Sequence, residues 1–349
     1  MSDKTIEPRT AYRGLTVYRT EAGAVEIDLS DNTNLFGSAP SAVASLREWA
    51  NTSPARYPSL ATAGLRDAIA GWLGIEPDEL LPGCGSNDVL DAAMRAFVEP
   101  GSRLAFTSPT FVMTSHFAAA NSLVPVAVPH LQSGDPDVEG LLATNAPLIY
   151  VATPNNPSGT AATRPAIQAL LDRAPGFVIL DEAYTEFAGT SWAKEAVTRG
   201  NVLVTRTFSK VWGLAGLRLG YGVGSKAMVN ELEKARGPYK VNAVAEQAAA
   251  AAVRQDQAWL RATIAAVAGA RDRLVQELRR LGFAPHHSDA NFICLPVADA
   301  QAAGRFLQSR GIGVRVFANT PVLGDVLRIT VGPDPMMAAL LRALMELPR

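Results

Sequence analysis

The chain has 349 residues, 48% hydrophobic and 19% charged, a composition that excludes both a disordered segment and a disulfide-stapled mini-protein. Thirty-two lysines and arginines against 33 aspartates and glutamates leave a net charge of −1 without blocks of like charge, so the footprint of a nucleic-acid or anionic-membrane binder is missing and a small-molecule function is expected. Two cysteines are too few for a disulfide framework or a zinc site, the opening MSDKTIEPRT has no apolar signal-peptide core, and no apolar run reaches the roughly 18 residues of a spanning helix, which together predict a soluble, cytoplasmic protein.

In chain order, residues 1–58 carry Asn, Gly and Pro clusters and are expected to be an irregular arm draped over the rest. From 59 to 242 short β-branched runs alternate with helix-patterned stretches, the signature of βαβ units and a mainly parallel sheet. The strands are expected at 103–109, 123–128, 147–154, 176–183, 201–207 and 218–224, and helices at 65–73, 86–98 and 164–174, where apolar positions recur at helical spacing. The Ala-rich stretch 243–281 reads as one or two long linking helices. After it, apolar runs at 291–297, 313–317 and 325–331, the stretch 304–311 and a closing amphipathic helix near 335–347 predict a small α+β domain within 243–349.

Ligands of a parallel sheet gather outside the carboxyl ends of its strands, so the residues that follow each apolar run carry the interest. After LIYVA comes Thr153-Pro154-Asn155-Asn156-Pro157-Ser158-Gly159; after FVIL, Asp181-Glu182-Ala183-Tyr184; after LVTR, Thr207-Phe208-Ser209-Lys210; and Arg218 opens the next strand. Each alone has a plain structural reading: NNPSG as a turn, Asp181 as a helix cap, Ser209-Lys210 and Arg218 as solvated polar groups. Their ordered occurrence at neighbouring strand ends assembles a carboxylate, an amide, a phenol, an amine and a guanidinium on an apolar scaffold.

YPSLATAGLRDAI, GCGSNDVLDAAMRAF, ATPNNPSGT, VILDEAYTEF, RTFSKVWGLAGLRLGYG and LRITVG, in this order over residues 57–332, resemble the class I/II aminotransferases dependent on pyridoxal 5′-phosphate (PLP), and within them the sequence is most similar to the histidinol-phosphate aminotransferases. The resemblance implies fold type I: an α/β architecture with a mainly parallel seven-stranded sheet between helices, plus a smaller α+β domain. It implies that Lys210 holds PLP covalently and later carries a proton, that Asp181 pairs with the ring nitrogen, that Asn156 and Tyr184 contact the ring oxygen, and that Phe111 stacks on the ring. Gly85, Ser86 and Asn87, opening a helix with free N–H groups, would cradle the phosphate with Thr207, Ser209 and Arg218. Tyr57 would reach the phosphate of a neighbouring subunit, which implies a homodimer with shared sites.

On the substrate side the resemblance assigns Arg328 to an anionic group, suited to a planar guanidinium. Asn34 would line the substrate side, in a segment where Thr33 and Leu35 stand in place of the family's usual Glu and Pro. Tyr12, with Tyr18 as the alternative, would reach the partner's substrate, and Arg315 would be a second anion contact although Val316 replaces the usual Asp. The expected reaction is ping-pong transfer of an amino group between an amino donor, best L-histidinol phosphate, and a 2-oxo acid, best 2-oxoglutarate. The alternatives are a threonine-phosphate type of decarboxylase or an aminotransferase for another amino acid. No strand feeds a G-x-G-x-x-G turn, which excludes a nicotinamide oxidoreductase, and the four histidines lack metal-ligand spacing, so no metal is expected.

Overall fold

The computed structural model describes residues 6–17, 25–52 and 54–347. Seven strands, β2 (Leu80–Gly83), β3 (Arg103–Ser108), β4 (Val124–Pro129), β5 (Leu148–Ala152), β6 (Phe177–Asp181), β7 (Val202–Thr207) and β8 (Gly220–Val223), form one sheet in the order β2-β8-β7-β6-β5-β3-β4. Neighbours from β7 to β4 run parallel, whereas β8 is antiparallel to both β7 and β2. The central strands β5, β6 and β7 are buried along their whole length, which is why they read as unbroken apolar runs. Aliphatic clusters pack on both faces of the sheet, with Ile149, Val151 and Val178 in one and Leu148, Tyr150 and Ile179 in the other.

A second, three-stranded sheet in the order β11-β12-β9 is antiparallel and is built from β9 (Phe292–Pro296), β11 (Arg315–Thr320) and β12 (Gly324–Thr330). Its core of Ile293, Leu295, Leu327 and Ile329 packs with Leu274 and Leu278 of the helix Gln257–Arg280 and Leu340 of the closing helix Asp334–Met345. The stretch 304–311 falls largely within the helix Ala300–Ser309. Two linking helices, Ala243–Gln255 and Gln257–Arg280, meet at Asp256, whose carboxylate accepts from the backbone N–H of Ser41 at 2.8 Å and its hydroxyl at 2.7 Å.

Among the first 58 residues, the described stretch from 25 on is more ordered than its composition implies. A helix, Pro40–Trp49, begins with proline at its first position and packs on Ala243–Gln255, and β1 (Ile27–Asp28) pairs in parallel with β10 (Ile312–Gly313). Between them residues 29–36 run along the gap between the two sheets, bonded to Gly313 and Thr330 on one side and to Val211 on the other. Among the described residues no helix is long and apolar enough to cross a membrane.

Candidate active site

The carboxyl ends of β5, β6 and β7 open onto a cavity of about 310 Å³. Lys210, Asp181, Tyr184, Asn156, Phe111, Ser86, Asn87, Thr207, Ser209, Arg218 and Arg328 all line it. Eleven expected residues thus converge from six separate stretches of chain.

The floor follows from strand alternation. Asp181 ends β6 with its side chain in the cavity, and the next residue, Glu182, points away to form a buried ion pair with Arg206 at 2.8 Å. Burial raises the Asp181 carboxyl above its ordinary range, while hydrogen bonds from Tyr150, Ala183 and Thr205 draw it back. Tyr184, buried and set edge-on against Phe292 at 5.1 Å, accepts at its hydroxyl from the Asn32 amide at 3.0 Å.

Lys210 lies where the chain leaves β7. Its Nζ donates to the Asp31 carbonyl at 3.0 Å and sits 5.6 Å from the Tyr184 ring centre. Burial, together with the nearby Arg328 and Arg218 guanidinium groups, lowers its ammonium to about 7 against the opposing pull of Asp31. A lysine in this state is an accessible nucleophile and a proton carrier near neutral pH.

At one end of the cavity stands the amino terminus of helix Ser86–Phe97, preceded by Gly85 at φ +79°, a backbone region costly for residues with a Cβ. A Cβ at Gly85 would also lie 2.8 Å from the Arg218 guanidinium, so glycine is what lets that cation close over the helix end. Gly220 serves the same packing from behind, since a Cβ there would collide with the Ser86 backbone N–H. Arg218 itself has φ +51°, an uncommon region for a non-glycine residue. Free helix N–H groups, the hydroxyls of Thr207 and Ser209, and a guanidinium make a site for a phosphate dianion.

At the other end Arg328 of β12 donates through Nη1 to Asn156 Oδ1 at 2.7 Å and through Nη2 to the Ser30 carbonyl. With its oxygen engaged, Asn156 has its amide nitrogen to offer a ligand. The neighbouring Asn155 is buried and structural: it binds the Pro109 carbonyl and accepts from Thr110, fixing the loop that presents Phe111.

Other expected residues lie outside this cavity. Asn34 does not line it; its amide donates to the Val211 carbonyl at 2.7 Å and its oxygen accepts from Phe36 N–H, so it pins the arm, and Asp31 and Thr33 take the lining positions. Arg315 stands directly across from Arg328 in the β11–β12 register but lines a separate cavity of about 230 Å³ with Ser30 and Arg305. Tyr57 is 81% exposed and stacks on Tyr239 at 4.6 Å, and Tyr12 is 46% exposed in a short turn with Arg9 5.9 Å from its ring. Tyr18 lies outside the described residues. Sequence reasoning missed Asp31, Asn32 and Tyr150; the one available signal was a hydroxyl-bearing ring inside the otherwise aliphatic run LIYVA.

The family model for aminotransferase class I and II matches residues 24–344. The chain is 39% identical over 333 residues to a histidinol-phosphate aminotransferase of Roseiflexus castenholzii, covering 92% of this chain and 89% of that one. It is 38% identical to the enzyme of that name from Jannaschia sp., with 94% of each chain covered. Among solved structures, histidinol-phosphate aminotransferase of Sinorhizobium meliloti in complex with pyridoxal-5′-phosphate superposes with a TM-score of 0.89 at 28% identity, over 99% of this chain and 98% of that one.

Proposed function

The chain belongs to the aminotransferase class I and II family and is a PLP-dependent aminotransferase, and on that premise we propose that it transfers the amino group of L-histidinol phosphate to 2-oxoglutarate, as a cytoplasmic homodimer. The observation that carries the reading is the convergence on one cavity of an amine lowered to about 7, a buried carboxylate and an anion cradle closed by Arg218. The donor set fits the cofactor: the cradle suits its phosphate, Asp181 its ring nitrogen, and Lys210 its carbonyl carbon. When bound, PLP supplies a ring that withdraws electrons from the substrate carbon.

The rest of the chemistry belongs to the protein. Asp181 would hold a proton at the ring nitrogen, Asn156 and Tyr184 would hold the ring oxygen, and Phe111 would cover a face. Lys210 would hold the cofactor's carbonyl carbon and, with an amine lowered to about 7, would carry a proton at its Nζ near neutral pH. Arg328 would hold the substrate's anionic group, and both substrates, the phosphate ester that donates the amino group and the 2-oxo acid that accepts it, carry one. The exposed Tyr57 and Leu60 beside Tyr239 are where we place the partner subunit.

The test mixes PLP-loaded protein with L-histidinol phosphate, and separately with phosphothreonine and common amino acids, while the cofactor absorbance and products are followed. Conversion of the bound cofactor to its amine form by histidinol phosphate, reversed by 2-oxoglutarate, is the expected result. Carbon dioxide release from phosphothreonine would favour decarboxylation, and a response confined to another amine would overturn the substrate.

A further inference from the structure

Tyr150 lies in the middle of β5, fully buried, one strand away from Asp181, with Tyr150 opposite Ile179 and Ala152 opposite Asp181 in the parallel register. Its ring packs in the aliphatic cluster with Leu148, Phe177 and Ile179. Packing accounts for the ring but not for the hydroxyl, since an apolar cluster would take phenylalanine without the cost of desolvating a polar group. That hydroxyl donates to Asp181 Oδ2 at 2.7 Å, while Asp181 Oδ1 accepts from the Ala183 N–H at 3.2 Å. The two carboxylate oxygens thus take donors from different elements, and the Thr205 hydroxyl of β7 adds a weaker contribution than Tyr150 or Ala183.

We propose that Tyr150 is a positioning residue of the reaction: its hydroxyl holds the Asp181 carboxylate in the orientation that meets the ring nitrogen of PLP. This rests on the proposed function. The direction of the hydrogen bond is settled by the two groups themselves. Burial, and then the Asp181 charge, push the Tyr150 phenol well above its usual range, so it remains a donor. Burial acts on Asp181 in the sense that would neutralise it, and the Tyr150 hydrogen bond is the largest of the contacts that oppose this. Among the described residues, the titratable groups that act on Asp181 are Tyr150 from β5, Glu182 just past the end of β6 with its carboxylate turned to Arg206, Tyr184 in the turn that follows and Lys210 beyond β7. Loss of the hydroxyl leaves a buried carboxylate short of a donor, and such a group protonates more readily.

The experiment measures PLP affinity of the full-length chain against pH for the wild type, Tyr150→Phe, Asp181→Asn and the double variant. Tyr150→Phe keeps the ring and is expected to bind PLP about ten- to a hundredfold more weakly, the range for a hydrogen bond to a charged group, with the acid limb of affinity moved to higher pH. In the Asp181→Asn background the same change is expected to cost little and to shift no limb. Unchanged affinity with an unmoved acid limb would overturn the proposal, and so would an equal loss with and without Asp181, which marks a packing role. If Tyr150→Phe does not fold, 3-fluorotyrosine at position 150, nearly the same size and a stronger donor, is expected to move the acid limb to lower pH; an unmoved limb overturns the proposal. Failure of the wild type to take up PLP at Lys210 is a different outcome: it removes the proposed function and this inference with it.

Discussion

Lys210 is held by a backbone carbonyl and an aromatic face, and its burial together with the repulsion of two nearby guanidinium groups favours the neutral amine at lower pH than in water. Its lowered titration gives a direct expectation for the cofactor-free chain. Below about 7 the amine is protonated and cannot attack, so the rate of covalent PLP capture in stopped-flow mixing should rise through that pH and level off above it. A rate still climbing toward 10.5, the ordinary lysine value, would show that the cavity does not act on the amine. Lys210→Ala should abolish capture at every pH. At this scale the sequence was most legible where a residue type is tied to a strand end: Asp181, Lys210 and Asn156 all face the cavity. It was least legible where a side chain could go either way. Asn155 and Asn156 are adjacent and chemically identical, yet one braces a loop and the other meets the cavity, and Asn34 turns to a backbone carbonyl. Those outcomes depend on loop geometry that a local pattern does not encode.

Behind β6 and β7 lies a buried charge cluster, the back side of the elements that carry Asp181 and Thr207. Glu182 accepts from Arg206, Ser191 and the Trp192 N–H, while Glu186 stands 3.7 Å from Arg206. Burial raises the Glu186 carboxyl to about 7, against the attraction of Arg206. A carboxyl raised from 4.5 contributes stability that is present below that value and is lost as pH rises through about 7, because the folded state holds the proton more tightly. Glu186→Gln should therefore leave stability near pH 4 almost unchanged and raise it above pH 7, by at most about 3 kcal/mol. Urea unfolding at both pH values checks this, and equal effects at the two would contradict it. Elements were legible in proportion to their length and periodicity. The central strands and the helix Ser86–Phe97 fall where the pattern puts them, whereas β2, only Leu-Leu-Pro-Gly, is too short to show alternation. The helix Pro40–Trp49 was hidden by the turn residues around it, and its start is fixed from a distance by Asp256.

For the whole molecule, the dimer is the proposal with the sharpest test. Tyr57 is largely exposed and does not line the cavity of its own chain, as expected of a residue that serves a neighbour. Mixing a Tyr57→Ala chain with a Lys210→Ala chain should yield hybrids in which one site retains both residues, and activity should return toward a quarter of wild type at random pairing. Verified hybrids without activity would show that each chain works alone. The course of residues 29–36 between the sheets had no local signal, because it is set by contacts distant in sequence.

That course also governs when the cavity can exist. Ser30 and Asn32 are tied to Arg328 and Thr330 across 298 positions, and β1 pairs with β10 in parallel. Contacts of such separation carry the full cost of loop closure before they return any energy, and they form late. During synthesis β6, which ends on Asp181, and β7, which leads to Lys210, emerge and can pair while Arg328 is still unmade. The substrate side of the cavity can therefore close only after Arg328 and Thr330 have been made, well after the residues of the catalytic framework.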